Sequence, residues 1–400
     1  MPNLVEWNNC CGCGACANKC PQGAISMKPN REGFLHPEID KNLCVECGAC
    51  EKVCPGLAPA ISVVNRPRAY IVQHKNDAIR YQSTSGGAFT AIAEEIIKRG
   101  GVVFGAAMTD DLTVKHKCVE TIEGLALFRN SKYVQSEISN CYKDAKARLI
   151  LGQWVCFSGT PCQINGLYKY LSHSYDNLIA VDVVCKSVPS PLVFQRYIEY
   201  KKGQEGTIAD VVFRDKKRGF LYCTMAHYVS HEDRQLTNDV YRRGSESDEW
   251  LRLFLSGKIS RHSCVCCSYQ TMGRVGDFTL GDIWETGYLK LDDNKGSTLV
   301  HVWSEKGQAF LDSIKPNIRC VEFPIEKSRG AQRNNTLQIT TNRDKLFEDA
   351  NDLEPKVFFE RYAPYTVKVR MKQMGRYVIW RLHLHNMVRH IKHLLIHRIK

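Results

Sequence analysis

Two runs of cysteines near the amino terminus constrain this 400-residue chain more than any other feature. Residues 10–21 read CCGCGACANKCP, and residues 44–55 read CVECGACEKVCP. Both contain the spacing C-x2-C-x2-C-x3-C-P. Three thiolates two residues apart can surround one part of a 4Fe-4S cube, whereas the fourth, followed by proline, points away towards a second cube. The spacing therefore predicts two cubes that share their cysteine runs.

This pattern resembles the two-cluster bacterial ferredoxins. By their ligand rule, one cluster takes Cys10, Cys13, Cys16 and Cys54, and the other takes Cys20, Cys44, Cys47 and Cys50. Cys11 is in excess of these eight and is expected to be a small residue beside a cluster. A structural zinc site is the alternative, but zinc uses paired C-x2-C units that total four ligands. Two complete four-cysteine runs with terminal prolines favour the clusters.

The nineteen cysteines of the chain indicate a reducing compartment rather than a disulfide scaffold. The sequence opens with Met1-Pro2-Asn3-Leu4 and shows no basic and apolar leader. Its apolar runs are shorter than the roughly 18 residues that span a bilayer. We therefore expect a cytoplasmic protein whose cysteines serve metal or redox chemistry.

The remainder of the chain predicts a larger α/β unit. Segments rich in proline and glycine around residues 55–68 predict a linker, with a domain boundary near residue 65. Apolar runs at 102–107, 154–157 and 178–184 alternate with helical patterns at 88–99, 140–151, 163–171 and 191–202. This alternation predicts a partly parallel or mixed sheet. Residues 208–214 and 221–229 predict antiparallel strands around a turn.

A second group of cysteines stands in this larger unit. Cys162 and Cys185 follow successive predicted strands, and Cys264 and Cys267 have C-x2-C spacing. The ends of such strands meet in an α/β domain, so four thiolates there could bind a third 4Fe-4S cluster. Ordinary buried cysteines, or half of a zinc site, are the alternatives. Four others are expected to be ordinary buried cysteines: Cys118, Cys141, Cys223 and Cys320. Cys156 and Cys266 are harder to assign in this way, because each lies close to a candidate ligand in the sequence.

Residues 83–89, STSGGAF, lie between a strand pattern and an amphipathic helix. Free backbone N–H groups at a helix start can receive an anionic group such as a nucleotide or flavin phosphate. Serine and glycine before a helix are more often simple caps, so both interpretations stay open. The sequence contains no Rossmann G-x-G-x-x-G or Walker A motif.

Five segments together resemble the beta-subunit family of coenzyme F420 hydrogenases and dehydrogenases. They are residues 83–87 (STSGG), 131–136 (SKYVQS), 157–163 (FSGTPCQ), 184–191 (VCKSVPSP) and 276–284 (GDFTLGDIW). The resemblance implies FAD and a 4Fe-4S cluster that takes Cys162, Cys185, Cys264 and Cys267. It also implies flavin contacts at Ser85, Gly86, Gly87, Lys132, Gln135, Ser136, Thr160 and Asp282. Lys186 stands where histidine is expected in many relatives, which places a substrate contact there in doubt.

The expected fold is therefore α+β and α/β. A bacterial-ferredoxin-like domain at 1–64 precedes a larger mixed α/β flavin-binding domain, which the resemblance divides into regions 68–150 and 151–325, and a basic amphipathic tail at 366–400 follows. From Tyr377 onward, apolar residues recur every three or four positions among Lys, Arg and His, which predicts a helix with Trp380 on its apolar side. This helix would lie on an anionic membrane, dock onto a partner, or pack on its own domain.

These features predict an iron–sulfur flavoprotein oxidoreductase that moves electrons between ferredoxin, or a reduced deazaflavin, and a small-molecule or protein acceptor. A flavin handles two electrons and a cluster handles one, so the pair converts between the two kinds of transfer. The alternatives are a noncatalytic electron-relay subunit and a zinc-stabilised nucleic-acid binder. The net charge of +13 does not favour nucleic acid, because no recognisable nucleic-acid module accompanies it.

Overall fold

The computed structural model describes residues 2–58, 67–229, 241–270, 273–283, 293–328, 342–385, 387–388 and 391. The amino-terminal module contains α1 (Ala15–Lys19), β1 (Ile25–Pro29), β2 (Leu35–Ile39) and α2 (Ala49–Lys52). Strands β1 and β2 form an antiparallel hairpin between the two short helices. The predicted linker around residue 65, Trp284 and the last part of the tail lie outside the described residues.

The strands of the larger unit form one large sheet and one small sheet. They are β3 (Arg68–His74), β4 (Val102–Met108), β5 (Val114–Val119), β6 (Val155–Gly159), β7 (Leu178–Val183), β8 (Asp210–Asp215), β9 (Thr224–Tyr228), β10 (Arg242–Arg243), β11 (Phe278–Asp282), β12 (Thr298–Val302) and β13 (Ile318–Phe323). The large sheet has the order β13-β3-β12-β11-β7-β6-β4-β5. Within it, β4, β6, β7 and β11 are parallel neighbours, and the other pairs are antiparallel. The predicted mixed sheet is confirmed.

Helices cover both faces of this sheet and continue beyond it. They are α3 (Asp77–Gln82), α4 (Ala88–Lys98), α5 (Cys141–Ile150), α6 (Pro161–Leu171), α7 (Pro191–Glu205), α8 (Glu249–Ser256), α9 (Glu305–Ile314), α10 (Ile325–Ser328), α11 (Arg343–Asp352), α12 (Pro355–Tyr362) and α13 (Val367–Arg381). One core lies between the sheet, α4 and α9, and a second lies between α5, α6 and the opposite sheet face. The four helices predicted from periodicity correspond to α4, α5, α6 and α7.

The small antiparallel sheet, β10-β9-β8, contains the two strands predicted at 208–214 and 221–229. It packs with α7, α8, α11 and α12 in a separate apolar cluster, which also receives Phe34 from the β1–β2 hairpin. The amino-terminal module therefore contributes directly to the core of the larger unit.

The carboxyl-terminal helix differs from its prediction. The sequence pattern predicts one helix from Tyr377 onward, whereas α13 begins at Val367 and ends at Arg381. His383 adopts a left-handed conformation with φ 55°, which cannot continue an α-helix, and the chain turns there before residue 385. No helix within the described residues is long and apolar enough to cross a membrane.

Candidate functional site

Two cavities in the amino-terminal module each gather four of the expected cluster ligands. The first is lined by Cys10, Cys13, Cys16 and Cys54. The second is lined by Cys20, Cys44, Cys47 and Cys50. Each cavity thus combines three cysteines of one run with the last cysteine of the other. This is the exchange of ligands that the sequence spacing predicts.

Local backbone geometry shapes both cysteine loops. Gly14 precedes α1 with φ 71°, and Gly48 precedes α2 with φ 68°, so a side chain at either position would be strained. The Gly12 amide donates to Cys10 Sγ at 3.4 Å, and the Ala24 amide donates to Cys20 Sγ at 3.3 Å. Such N–H groups stabilise thiolate charge and influence the potential of a bound cluster.

The eight cysteines of the amino-terminal module are spread around the two cavities. A structural zinc ion needs four ligand atoms within about 2.3 Å of one point. Among the described residues, no three His, Cys, Asp or Glu side chains are arranged to hold one metal ion. The cysteines surround cavities instead, as required when each thiolate binds a different iron of a cube.

The third cysteine group lies at the carboxyl edge of the parallel strands. Cys162 begins α6 just after β6, and Cys185 follows β7. Burial raises the pKa of Cys185 well above its usual range, and the nearby sulfurs of Cys264, Cys162 and Cys267 raise it further. The Val188 amide donates to Cys264 Sγ at 3.4 Å. All four expected ligands of a third cluster are therefore near one another.

Cys11 connects the first cavity to this third group, which the sequence did not predict. Its thiol is in hydrogen-bonding contact with Cys13 on one side and Cys162 on the other, and the Cys13 contact is the main cause that raises the pKa of Cys11. A Cβ atom added to Gly166 of α6 would lie 3.0 Å from Cys13 Sγ, so α6 also packs closely on the first cavity. The cysteine doublet at residues 10–11 was the only sequence signal for this junction.

Two buried arginines fix the amino-terminal module to the larger unit. Arg261, 1% exposed, donates to the carbonyl oxygens of Cys10 at 2.6 Å and Leu35 at 2.9 Å. Arg343 makes a bidentate ion pair with buried Glu32, with N–O distances of 2.9 and 2.6 Å. Charge-assisted bonds of this kind hold a fixed geometry. These bonds hold the amino-terminal module in a fixed position against the larger unit.

Two of the eight predicted flavin contacts, Ser85 and Asp282, contact each other in the structure. The Ser85 hydroxyl donates to the Asp282 carboxylate, which pairs with Arg214 Nη1 at 2.7 Å. Arg214 Nη1 also donates to the Tyr133 hydroxyl at 3.3 Å, which brings in the 131–136 segment. Arg214 Nε and Nη2 are buried and have no hydrogen-bond partner among the described residues. Two strong donors are therefore available in this group.

Lys216 adds a second cation to the group around Arg214. Its ammonium donates to the carbonyl oxygens of Ser85 and Lys295, each at 2.8 Å. Burial, together with the charges of Arg80 and Arg214, lowers the pKa of Lys216 to about 7. Neither Arg214 nor Lys216 was predicted from the sequence, because both lie on or just after β8, far along the chain from the motifs they contact.

Gly86 and Gly87 have structural roles of their own. A Cβ atom on Gly86 would lie 2.2 Å from the Val72 carbonyl oxygen and 2.6 Å from the Thr298 amide nitrogen, so only glycine fits between these strands. Gly87 has φ 82° and caps α4. Packing and helix initiation explain both glycines without a ligand.

The other four predicted flavin contacts bond to several different parts of the chain. Lys132 Nζ donates to the carbonyl oxygens of residues 127 and 129. Gln135 accepts from the Leu35 amide at 3.0 Å, and so joins the hairpin of the amino-terminal module. Ser136 and Thr160 both contact Gln163, at 3.0 and 2.9 Å. Thr160 Oγ1 also lies 3.1 Å from Cys162 Sγ, so Ser136 and Thr160 connect with the third cysteine group.

The remaining cysteines and Lys186 have separate locations. Cys156 is fully buried in β6 within the main core, whereas Cys266 is exposed beside the third group. Cys141 is buried, Cys223 and Cys320 are half-buried, and Cys118 is exposed. Lys186 donates to the Leu255 carbonyl oxygen at the end of α8. Burial lowers the pKa of its ammonium.

Residues 152–328 match the family model for the carboxyl-terminal part of the coenzyme F420 hydrogenase/dehydrogenase beta subunit, and residues 9–58 match a 4Fe-4S dicluster domain. A chain in the xenon-derivatised F420-reducing NiFe hydrogenase complex from Methanosarcina barkeri is 14% identical, with a TM-score of 0.46 over 77% of this chain and 97% of that one. No match was found among curated proteins.

The two family matches cover different parts of the molecule. The dicluster match contains both cysteine cavities, and the beta-subunit match contains the third cysteine group, Arg214 and Asp282. Iron–sulfur electron transfer of the oxidoreductase type follows from this combination. The chain therefore joins a region similar to the carboxyl-terminal part of the coenzyme F420 hydrogenase/dehydrogenase beta subunit to an amino-terminal region that matches a 4Fe-4S dicluster domain.

Proposed function

We propose that this protein is an iron–sulfur flavoprotein oxidoreductase with three 4Fe-4S clusters and FAD. It passes electrons between ferredoxin, or a reduced deazaflavin, and a small-molecule or protein acceptor. The arrangement of the three cysteine groups carries this proposal. Two cavities lie side by side in one module, and the first of them contacts the third group through Cys11.

The order of the three sites follows from their contacts. The second cavity includes Cys47, which is exposed, and is flanked by the exposed side chains of Leu43 and Val45. The first cavity is the one that meets the third group, through the Cys11 thiol. Electrons that enter at the second cavity would therefore pass to the first cavity and then to the third site.

The group around Arg214 is the proposed flavin site. FAD, when bound, accepts a hydride as two electrons and releases them singly to iron–sulfur centres. Ser85 and Asp282 would hold and orient it. The two N–H groups of Arg214 that have no partner among the described residues are suited to an electron-rich part of such a ligand. The orphaned buried donors are the feature that fits a bound group, because buried N–H groups are rarely left unpaired.

The proposed location is cytoplasmic. All nineteen cysteines are described by the structure, and every one of them is free. Free cysteines in this number are typical of a reducing compartment, where ferredoxin-type partners also operate.

Anaerobic purification followed by iron, sulfide and flavin analysis tests the proposal. Three cubes contain about twelve irons, and released FAD is identified by its fluorescence. Zinc without iron would contradict the whole proposal. Twelve irons without flavin, even after incubation with FAD, would instead identify a noncatalytic relay protein, which is the second candidate function.

A further inference from the structure

Helix α13 has one face packed against its own chain. The Arg376 guanidinium pairs with Glu246 at 2.6 Å and donates to the Leu221 carbonyl oxygen at 3.2 Å. Trp380, one helical turn later, packs on Tyr222 with ring centroids 5.9 Å apart. These contacts fix the orientation of α13 about its axis. Trp380 therefore faces inward, on the own-domain side of the helix.

The opposite face of α13 is apolar and exposed. Val367, Met371, Met374 and Val378 are 76, 67, 60 and 50% exposed. Their spacing of four, three and four residues places them on one stripe of the helix. Isolated exposed apolar residues are normal on proteins, but a continuous stripe of four marks an interaction surface.

Basic residues flank this stripe on both sides. Lys368, Arg370, Lys372 and Arg381 are all exposed, and the chain contains no Asp or Glu after Glu360. A helix with an apolar stripe, a basic border and no acidic residue is typical of helices that lie in the interface of an anionic membrane.

We propose that α13 lies flat on an anionic lipid surface, with Val367, Met371, Met374 and Val378 inserted among the headgroups. A second copy of the chain fits less well, because two such basic borders would repel each other. A stable protein interface also buries about 800 Å² on each partner, which is more than four side chains of one helix provide. This proposal is independent of the redox function.

Vesicle co-sedimentation of the full, anaerobically purified chain tests the proposal. Vesicles of phosphatidylcholine alone are compared with vesicles that also contain phosphatidylglycerol. We expect binding only to the anionic vesicles, weakened by added salt. Each of the single substitutions Arg370→Gln, Lys372→Gln and Arg381→Gln should weaken binding about fivefold, which corresponds to about 1 kcal/mol per charge.

The apolar stripe is tested by the double variant Met371→Glu with Met374→Glu. We expect it to lose vesicle binding while its iron content and helical circular dichroism stay at wild-type levels, because both side chains face away from Tyr222. The matched control is Ile150→Glu with Leu151→Glu, at the end of α5, where the side chains are 65 and 76% exposed. The control should bind as the wild type does.

Three vesicle-binding results would overturn the proposal. They are no binding to anionic vesicles, equal binding to neutral and anionic vesicles, and binding that survives the Met371 and Met374 substitutions. Lipid-free self-association that the same substitutions abolish would also overturn it, since the occupant of the stripe would then be a second copy.

Discussion

The cysteine cavities and the group around Arg214 are assembled in opposite ways. Each cavity takes three cysteines from one short run, so its main ligands are already neighbours in the sequence. Ser85 and Asp282, by contrast, are 197 residues apart, and Arg214 lies 68 residues before Asp282. The first kind of site is encoded by local spacing. The second exists only after the large sheet has formed.

The third cysteine group stands between these two cases. Cys264 and Cys267 are local neighbours, whereas Cys162 and Cys185 reach them because β6 and β7 end at the same edge of the sheet. Its integrity should therefore depend on the sheet, while the two cavities depend on the amino-terminal module. Single substitutions can separate these two dependences.

The largest effect is expected from Cys264→Ser, which removes a ligand from the third group alone. About four of about twelve irons should be lost, and the two clusters of the amino-terminal module should remain. Cys266→Ser is the matched control, because Cys266 is exposed two residues away. Iron and sulfide analysis of both variants decides the point. Full iron in Cys264→Ser, or an equal loss in the control, would contradict the third-site assignment.

Arg343→Met tests whether the amino-terminal module depends on its attachment. It leaves the Glu32 carboxylate, 1% exposed, without its partner, and breaking a buried ion pair costs about 3–5 kcal/mol. Thermal unfolding under anaerobic conditions measures the loss. The control is Arg31→Met, which breaks the neighbouring exposed pair with Asp344 and should cost less than about 1 kcal/mol. Similar losses in both variants would show that the buried pair does not secure the module.

Much of the fold could be predicted from the spacing of apolar residues and from the residues that mark turns and helix starts. The buried strands β4, β6 and β7 appear as apolar runs, and the helices between them begin at recognisable signals, such as Thr160-Pro161 before α6. Local cysteine spacing likewise predicted which eight cysteines line the two cavities. These signals act within a few residues, so a single sequence contains them in full.

Contacts between distant segments could not be predicted in the same way. The flavin contact implied for Gln135 by its motif stays a prediction, whereas the binding of its side-chain oxygen to the β1–β2 hairpin had no local signal. Arg214 and Lys216 carry no local signal, and only the packing of β8 against the Ser85 loop gives them a role. For α13, the sequence left three alternatives open. The orientation set by Arg376 and Trp380 shows which face packs inward.

Cys11→Ala tests the contact that joins the two kinds of site. The variant should keep all three clusters and lose about 1 kcal/mol of stability or less, because only a small, half-buried thiol is removed. The contacts of the Cys11 thiol with Cys13 and Cys162 would be lost, so reduction of the third cluster through the module should become slower. Rapid-freeze EPR after mixing with a reduced ferredoxin measures this rate. Cys118→Ala, at an exposed position, is the control. An unchanged rate with intact clusters would contradict the proposed order of transfer.

The smallest expected effect is a pH dependence of the stability, caused by His36 where the amino-terminal module is attached to the larger unit. Burial, with the charge of Arg261, lowers the pKa of His36 to about 3. The unfolded chain binds a proton at this histidine below about pH 6.5, whereas the folded chain does not, so stability should fall as the pH drops from about 6.5 towards 3. With allowance for the partial exposure of His36, the loss between about pH 7 and about pH 5 should be about 1 kcal/mol. His36→Asn should remove this component, and His173→Asn, at an exposed position, should retain it. Anaerobic thermal unfolding at both pH values measures the difference, and equal pH dependence in all three proteins would show that His36 is protonated in the folded state.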